Sequence, residues 1–298
     1  MRHKLLLAAL VAAFSIGASA KSLIKNQKPQ VKVLQKLPGM VKTQGMAIHG
    51  NYLLAVTQFG KASIYDIREN KLINVMYVPW QETDSKAPHA NAACFGREYA
   101  PGNKDLPLLY VSTWYWNTGR TCQIYDVRRQ ADGKFTMDLV QTIYPNNLDK
   151  DIFGSGCSDW VVDTDKGYIY ALTYKLEGSS TLTDGNAQMI TKFRLPKLKD
   201  GKHIHLKNDQ ILDHYQLEMF NYSQGKTYYK GHIYINSGNV HCPYWMWLRA
   251  IDLKQRAMVN KSSLATVIPG EPEGLDVLNG KLVLFTYSKS GELYELTY

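Results

Sequence analysis

The sequence predicts an all-β fold, a five-bladed β-propeller closed by an N-terminal strand. Three observations predict it. A related strand–turn–strand pattern recurs along the chain, helical periodicity is missing over the same span, and the last copy lacks a strand that the N-terminal region can supply.

The first copy has strands at residues 44–48, 52–57 and 62–67, the last of these reading ASIYDI. The second has strands at 91–95, 108–113 and 122–127, ending in CQIYDV. The third places them at 158–162, 168–173 and 189–195, and the fourth at 224–228, 232–236 and 248–253, ending in LRAIDL. The fifth occupies 273–277, 281–286 and 292–297. Turns between the first two strands carry Gly50-Asn51, Asp163 to Gly167, Lys230-Gly231 and Asn279-Gly280. Asn-Gly is the strongest short hairpin signal because both residues tolerate positive φ.

Each copy supplies three strands, and residues 72–78 and 139–143 read as the fourth strands of the first two. Sheets of four strands repeated at this spacing are the mark of propeller blades. The fifth copy ends at Tyr298 with no room for its outer strand, whereas residues 31–37 (VKVLQKL) are strand-like and unassigned. Pairing the two removes an open edge and closes the ring. Residues 176–188 and 199–210 read as long loops at a propeller face, and 154–159 as the turn leading into the third blade.

Residues 1–20 read as a signal peptide: a positive start at Arg2, His3 and Lys4, an apolar run over 5–16, and Ala18-Ser19-Ala20 before a cleavage point. The apolar run is shorter than the ~20 residues a spanning helix needs. The expectation is a secreted or periplasmic protein whose residues 21–298 form a single domain. The formal charge of +9 falls to +7 without Arg2 and Lys4, and its lysines are scattered. Export argues against a nucleic-acid partner, and scattered lysines fit ordinary solubility. The cysteines, Cys94, Cys122, Cys157 and Cys242, form no CxxC pair, which leaves both disulfides and buried thiols open.

The blade openings His89-Ala90-Asn91, Gln224-Gly225 with Tyr228, and Glu271-Pro272-Glu273-Gly274 resemble those of the five-bladed propellers grouped with teichoic-acid biosynthesis proteins and phage tail receptor-binding proteins. That resemblance implies a propeller fold and interaction with cell-surface glycans, with no defined catalytic activity. A second resemblance, to plant and bacterial glutaminyl cyclases, rests on Thr43-Gln44-Gly45-Met46 and Gly60-Lys61-Ala62-Ser63 in the first blade. No metal or catalytic role is carried over from it.

Residues at the start of the innermost strands should converge at one mouth of the axis: Gln44, His89, Asn91, Ser158, Asp159, Gln224, Glu271 and Glu273. Such a set suits an acid–base pair, sugar hydroxyls or a cation. No cofactor is predicted; Ca²⁺ is the cation that Asp159, Glu271 and Glu273 would suit. Trp116 and Trp245, within WYWN and YWMW, are candidates for stacking on sugar faces, with Trp114 and Trp247 as core partners. G-x-S-x-G, P-loop and H-E-x-x-H patterns are absent. The favoured function is an exported glycan-binding module, with a polysaccharide lyase or hydrolase and an envelope protein scaffold as alternatives.

Overall fold

The computed structural model describes residues 20–39, 43–79, 89–114, 121–175, 186–218, 220, 222–239, 241–287 and 291–298, the side chains of 114, 155–158 and 242–245 excepted. It is a five-bladed β-propeller. The first blade is β2 (Thr43–His49), β3 (Tyr52–Thr57), β4 (Lys61–Asp66) and β5 (Lys71–Tyr77). The second is β6 (His89–Phe95), β7 (Leu109–Trp114), β8 (Cys122–Arg129) and β9 (Phe135–Tyr144). The third is β10 (Ser155–Asp163), β11 (Tyr168–Lys175), β12 (Ala187–Arg194) and β14 (Asp213–Glu218). The fourth is β15 (Ser223–Tyr229), β16 (His232–Asn239), β17 (Cys242–Asp252) and β18 (Ala257–Ser263). The fifth is β19 (Glu271–Leu278), β20 (Lys281–Tyr287), β21 (Glu292–Thr297) and, as its outer strand, β1 (Gln30–Lys36).

The closure expected from the sequence is present. β1 runs antiparallel to β21, with Gln30 opposite Thr297 and Lys36 opposite Glu292. The extreme N-terminal segment is also tied down. Leu23 N–H donates to the Tyr234 hydroxyl at 2.9 Å, and the Ser262 hydroxyl donates to the Lys25 carbonyl. Ile24 is fully buried among Tyr234, Leu264 and Leu296.

Alternation along each strand puts apolar side chains on both faces of every blade, because each blade is sandwiched between two others. The core is accordingly divided into layers between neighbouring blades. Leu54, Ile64, Val111 and Tyr125 pack between the first and second. Cys122, Ile124, Trp160 and Phe193 join the second to the third. Leu172, Ile190, Ile233 and Ile251 join the third to the fourth, and Leu248, Ala250, Leu284 and Tyr294 the fourth to the fifth. Met46, Tyr65, Val283 and Phe285 complete the circuit back to the first blade.

Turn chemistry follows the sequence where it was most explicit. Asn279 and Gly280 have φ of 52° and 77°, and Lys230 and Gly231 have 46° and 82°. These positive values match the twist of tight hairpins.

Three segments differ from the expectation. Residues 154–159 are not a simple turn: α1 (Lys150–Phe153) precedes them, and β10 already begins at Ser155. Residues 199–210 are not a plain loop. They include β13 (His203–His205), which pairs in parallel with β9 and adds a fifth strand to the second blade. Polar His203 and His205 suit that position because the strand is an exposed edge, where one face needs no apolar cover. Residues 244–247 lie within β17, which begins at Cys242 instead of at the expected 248. Cys94 and Cys122 are buried free thiols, and burial pushes the Cys94 thiol up to about 12.

Among the described residues, no helix is long and apolar enough to cross a membrane.

Candidate functional site

The innermost strands β2, β6, β10, β15 and β19 meet around the axis, and each departs from regular pairing near its start. In the first blade, Thr43 pairs with Thr57 and Gly45 with Val56, so Gln44 is an extra residue. The same one-residue excess falls on Asn91-Ala92, Gln224-Gly225 and Glu273-Gly274. In the third blade the irregularity spans the stretch between Ser155 and Asp159. A bulge takes a residue out of the ladder and re-aims its side chain. Here the irregularity recurs in every blade, and it turns polar residues toward a common centre.

The predicted residues other than Ser158, whose side chain lies outside the described ones, are brought together in two hydrogen-bonded chains. His89 Nε2 lies 3.0 Å from Gln44 Oε1, and Gln44 Nε2 donates to Glu273 Oε1 at 3.1 Å. In the second chain Asn91 Nδ2 donates to Asp159 Oδ1 at 2.6 Å. Lys226 Nζ stands 2.7 Å from Asp159 Oδ2 and also donates to the Gln224 carbonyl. Gln224 Nε2 then donates to Glu271 Oε1 at 2.8 Å. Every blade contributes to the cluster.

Depth sorts these residues. His89, Gln224 and Glu271 are half-buried and form an outer layer, whereas Gln44, Asn91, Asp159, Lys226 and Glu273 lie buried beneath them. The electrostatics follow the depth. Burial, with the neighbouring Glu271 charge, pushes the Glu273 carboxyl well above the ordinary glutamate range, against the pull of Gln44 and Lys226. Burial likewise raises Asp159, opposed by Lys226 and Asn91. The His89 imidazole is pushed below its ordinary value, which favours the neutral ring. Glu273 Oε2 is buried and has no hydrogen-bond partner among the described residues. A protonated carboxyl with a spare oxygen at the axis can donate a proton or accept a ligand's hydroxyl.

Lys226 was not singled out by the sequence pattern. It follows Gln224-Gly225, as Asp159 follows the irregular stretch of its own strand, and a buried lysine opposite a buried aspartate is the pairing that low polarity requires. The only signal in the sequence was a lysine where neighbouring copies carry Met46, Ala93 or Leu275. Trp116 lies outside the described residues, and of Trp245 only the backbone, in β17, is described. The connection that carries Trp116 leaves from the polar end, because Trp114 pairs with His89. Trp247 is half-buried, with Lys261 Nζ 4.6 Å from its ring centre.

Exposed aromatics missed by the sequence reading stand at the same end of the molecule. Phe59 is 76% exposed and Tyr77 is 75% exposed, so neither is needed for the core. Phe59 follows Thr57, the partner of Thr43, and Tyr77 pairs with Lys61. Tyr222, 48% exposed, directly precedes β15. Among the described residues no group of three or more His, Cys, Asp or Glu side chains is arranged to hold a metal ion.

No known protein-family profile matches the chain, and no curated protein matches it by sequence. Solved structures do match by fold. Myxococcus xanthus glutaminyl cyclase aligns over 92% of this chain and 97% of its own, with 13% identity and a TM-score of 0.51. Apo AztD from Citrobacter koseri aligns over 78% of this chain and 48% of its own, with 12% identity and a TM-score of 0.34. Chaetomium thermophilum Raptor aligns over 91% of this chain and 29% of its own, with 8% identity and a TM-score of 0.43. The Myxococcus enzyme belongs to the second of the two groups that the sequence resembles, and none of these three is a teichoic-acid or phage receptor-binding protein. At this identity the likeness shows the propeller fold alone.

Proposed function

We propose that the chain is an exported binding module that holds a glycan at the polar mouth of its axis. The observation that carries this reading is the Glu273 carboxyl, buried with one oxygen unpartnered at the end of the His89–Gln44–Glu273 hydrogen-bonded chain. A sugar hydroxyl is both donor and acceptor and complements such a group. The half-buried His89, Gln224 and Glu271 offer further polar contacts above it. Phe59, Tyr77 and Tyr222 supply exposed ring faces at the same end, and aromatic faces pack on the C–H faces of sugars. Export is supported by the N-terminal sequence pattern, and the buried Ile24 anchors the chain shortly after the cleavage point expected at Ala20.

Titration of a glycan array with residues 21–298 tests the proposal. Saturable binding is expected, weakened by Glu273→Gln and by Phe59→Ala with Tyr77→Ala. Trp116→Ala and Trp245→Ala extend the test to the candidates read from the sequence. The absence of any saturable glycan would overturn it.

A second reading, catalysis at the same cluster, is favoured by the raised Glu273 carboxyl, which is a general acid in form. Product release from a bound polysaccharide, abolished in His89→Ala or Glu273→Gln while binding persists, would identify a lyase or hydrolase. The fold likeness to a glutaminyl cyclase makes a glutaminyl peptide the other substrate to assay.

A further inference from the structure

The opposite end of the same innermost strands forms a second, separate and half-open cavity of about 500 Å³. Gln44 and Ile48 lie on one strand, and Ile48 lines this cavity, so the two ends are about 13 Å apart along β2. The volume is within the usual range for small-molecule sites, roughly 300–1,000 Å³.

Its chemistry differs from that of the polar mouth. One carboxylate, Asp276, lies in its wall. Asp276 accepts from Ile48 N–H at 2.6 Å, from the Thr227 hydroxyl at 2.8 Å and from its neighbour Val277 N–H at 2.8 Å. These donors are neutral, and among the described residues no cation pairs with it. Arg97 also lines the cavity; it is exposed, and its Nη1 donates to the Asp165 carbonyl at 3.4 Å and forms no ion pair with Asp276 among the described residues. Burial of the Asp276 carboxyl pushes it up to about 6, so at neutral pH it is an uncompensated negative charge in a partly dry site.

Rings surround that charge. Phe95, Tyr99, Tyr228, Tyr229 and His49 line the cavity. His49 meets Phe95 and Tyr99 edge-on, with ring centres 5.9 and 6.4 Å away. Burial lowers the His49 imidazole, so it adds no positive charge at neutral pH. Aromatic faces attract cations through their quadrupoles, and a carboxylate supplies the counter-charge.

We propose that this cavity is a binding site for an organic ammonium ligand, its charged nitrogen directed to Asp276 and its apolar body held among the rings. Neutral and anionic ligands of the same shape lack the charge that Asp276 calls for. The site needs no contribution from the polar mouth and stands independently of the glycan reading.

Calorimetric titration of residues 21–298 with benzylammonium and benzyltrimethylammonium tests it, with benzyl alcohol and benzoate as matched controls. Saturable binding of at least one ammonium probe is expected, with neither control binding. Tyr99→Ala, at an exposed position, should weaken that binding about tenfold if its ring contributes in full. Asp276→Asn should abolish it. Because Asp276 also joins three strands, the folded state of that variant is checked by circular dichroism, and Tyr99→Ala carries the test if it is unfolded. Glu273→Gln, at the other mouth, should leave ammonium binding unchanged. Failure of both ammonium probes to bind, equal binding of benzyl alcohol or benzoate, or affinity indifferent to Tyr99→Ala would overturn the proposal.

Discussion

Gln44 and Glu273, from the first and last blades, share a hydrogen bond of 3.1 Å that joins the two sides of the ring at its axis. Because burial raises Glu273 above the ordinary glutamate value of 4.5, the folded state holds a proton that the unfolded chain releases. Stability from this group is therefore complete below about pH 4.5 and is lost as pH rises through the folded value. Asp276 adds the same sign of dependence between 3.8 and about 6. Thermal unfolding followed from pH 4 to pH 9 should show the wild type losing stability as pH rises. Glu273→Gln should lose less above pH 6, since the amide cannot ionise. Parallel curves for the two proteins would contradict a protonated Glu273.

The Lys226–Asp159 pair is buried on both sides. Replacing Lys226 by Met leaves the carboxylate without its counter-charge, and breaking such a pair costs about 3–5 kcal/mol. The double variant Lys226→Met with Asp159→Asn removes both charges and should recover part of that loss. Urea midpoints of the wild type, two single variants and the double variant measure the coupling.

Gly225 sits where two innermost strands touch. A Cβ there would come 2.1 Å from the Glu273 carbonyl oxygen and 2.5 Å from Leu275 N, both backbone atoms. Gly225→Ala therefore forces the fourth and fifth blades apart. A loss of about 3 kcal/mol or more is expected, the upper range for overpacking. A midpoint within experimental error of the wild type would mean that the strands separate easily there.

Ile24 lies outside every strand yet is fully buried. Ile24→Ala should cost about 2–5 kcal/mol, as for other buried large-to-alanine changes. Chemical denaturation measures it, and a negligible change would show that the N-terminal segment is not part of the folded core.

The blades were legible in the sequence because each repeats one pattern of apolar alternation and turn residues. ASIYDI and CQIYDV became β4 and β8, and Asn279-Gly280 became a tight hairpin. The converging polar residues were legible for the same reason, since equal positions in rotationally related sheets must meet near the axis. What pattern alone did not reveal was the bulging that directs them. Extra residues such as Gln44 and Asn91 appear in a sequence as ordinary strand positions, and only pairing exposes them as unmatched. Lys226 stayed hidden because its partner, Asp159, is remote in sequence and on another blade. β13 was read as loop because three residues, two of them histidine, carry too little periodicity to signal a strand. β14 and β18 were likewise unassigned, since exposed outer strands have a weaker apolar pattern than inner ones.

Gln30 and Thr297 are partners in one sheet although almost the whole polypeptide separates them. That sheet cannot be assembled while the C-terminal strand is still being synthesised. Earlier blades can form in sequence, but the ring must wait, incomplete, with the Val283 and Leu293 side of the gap uncovered until the two ends meet. Closing the ring is thus a docking of the two chain ends, a step that no earlier blade can complete by itself.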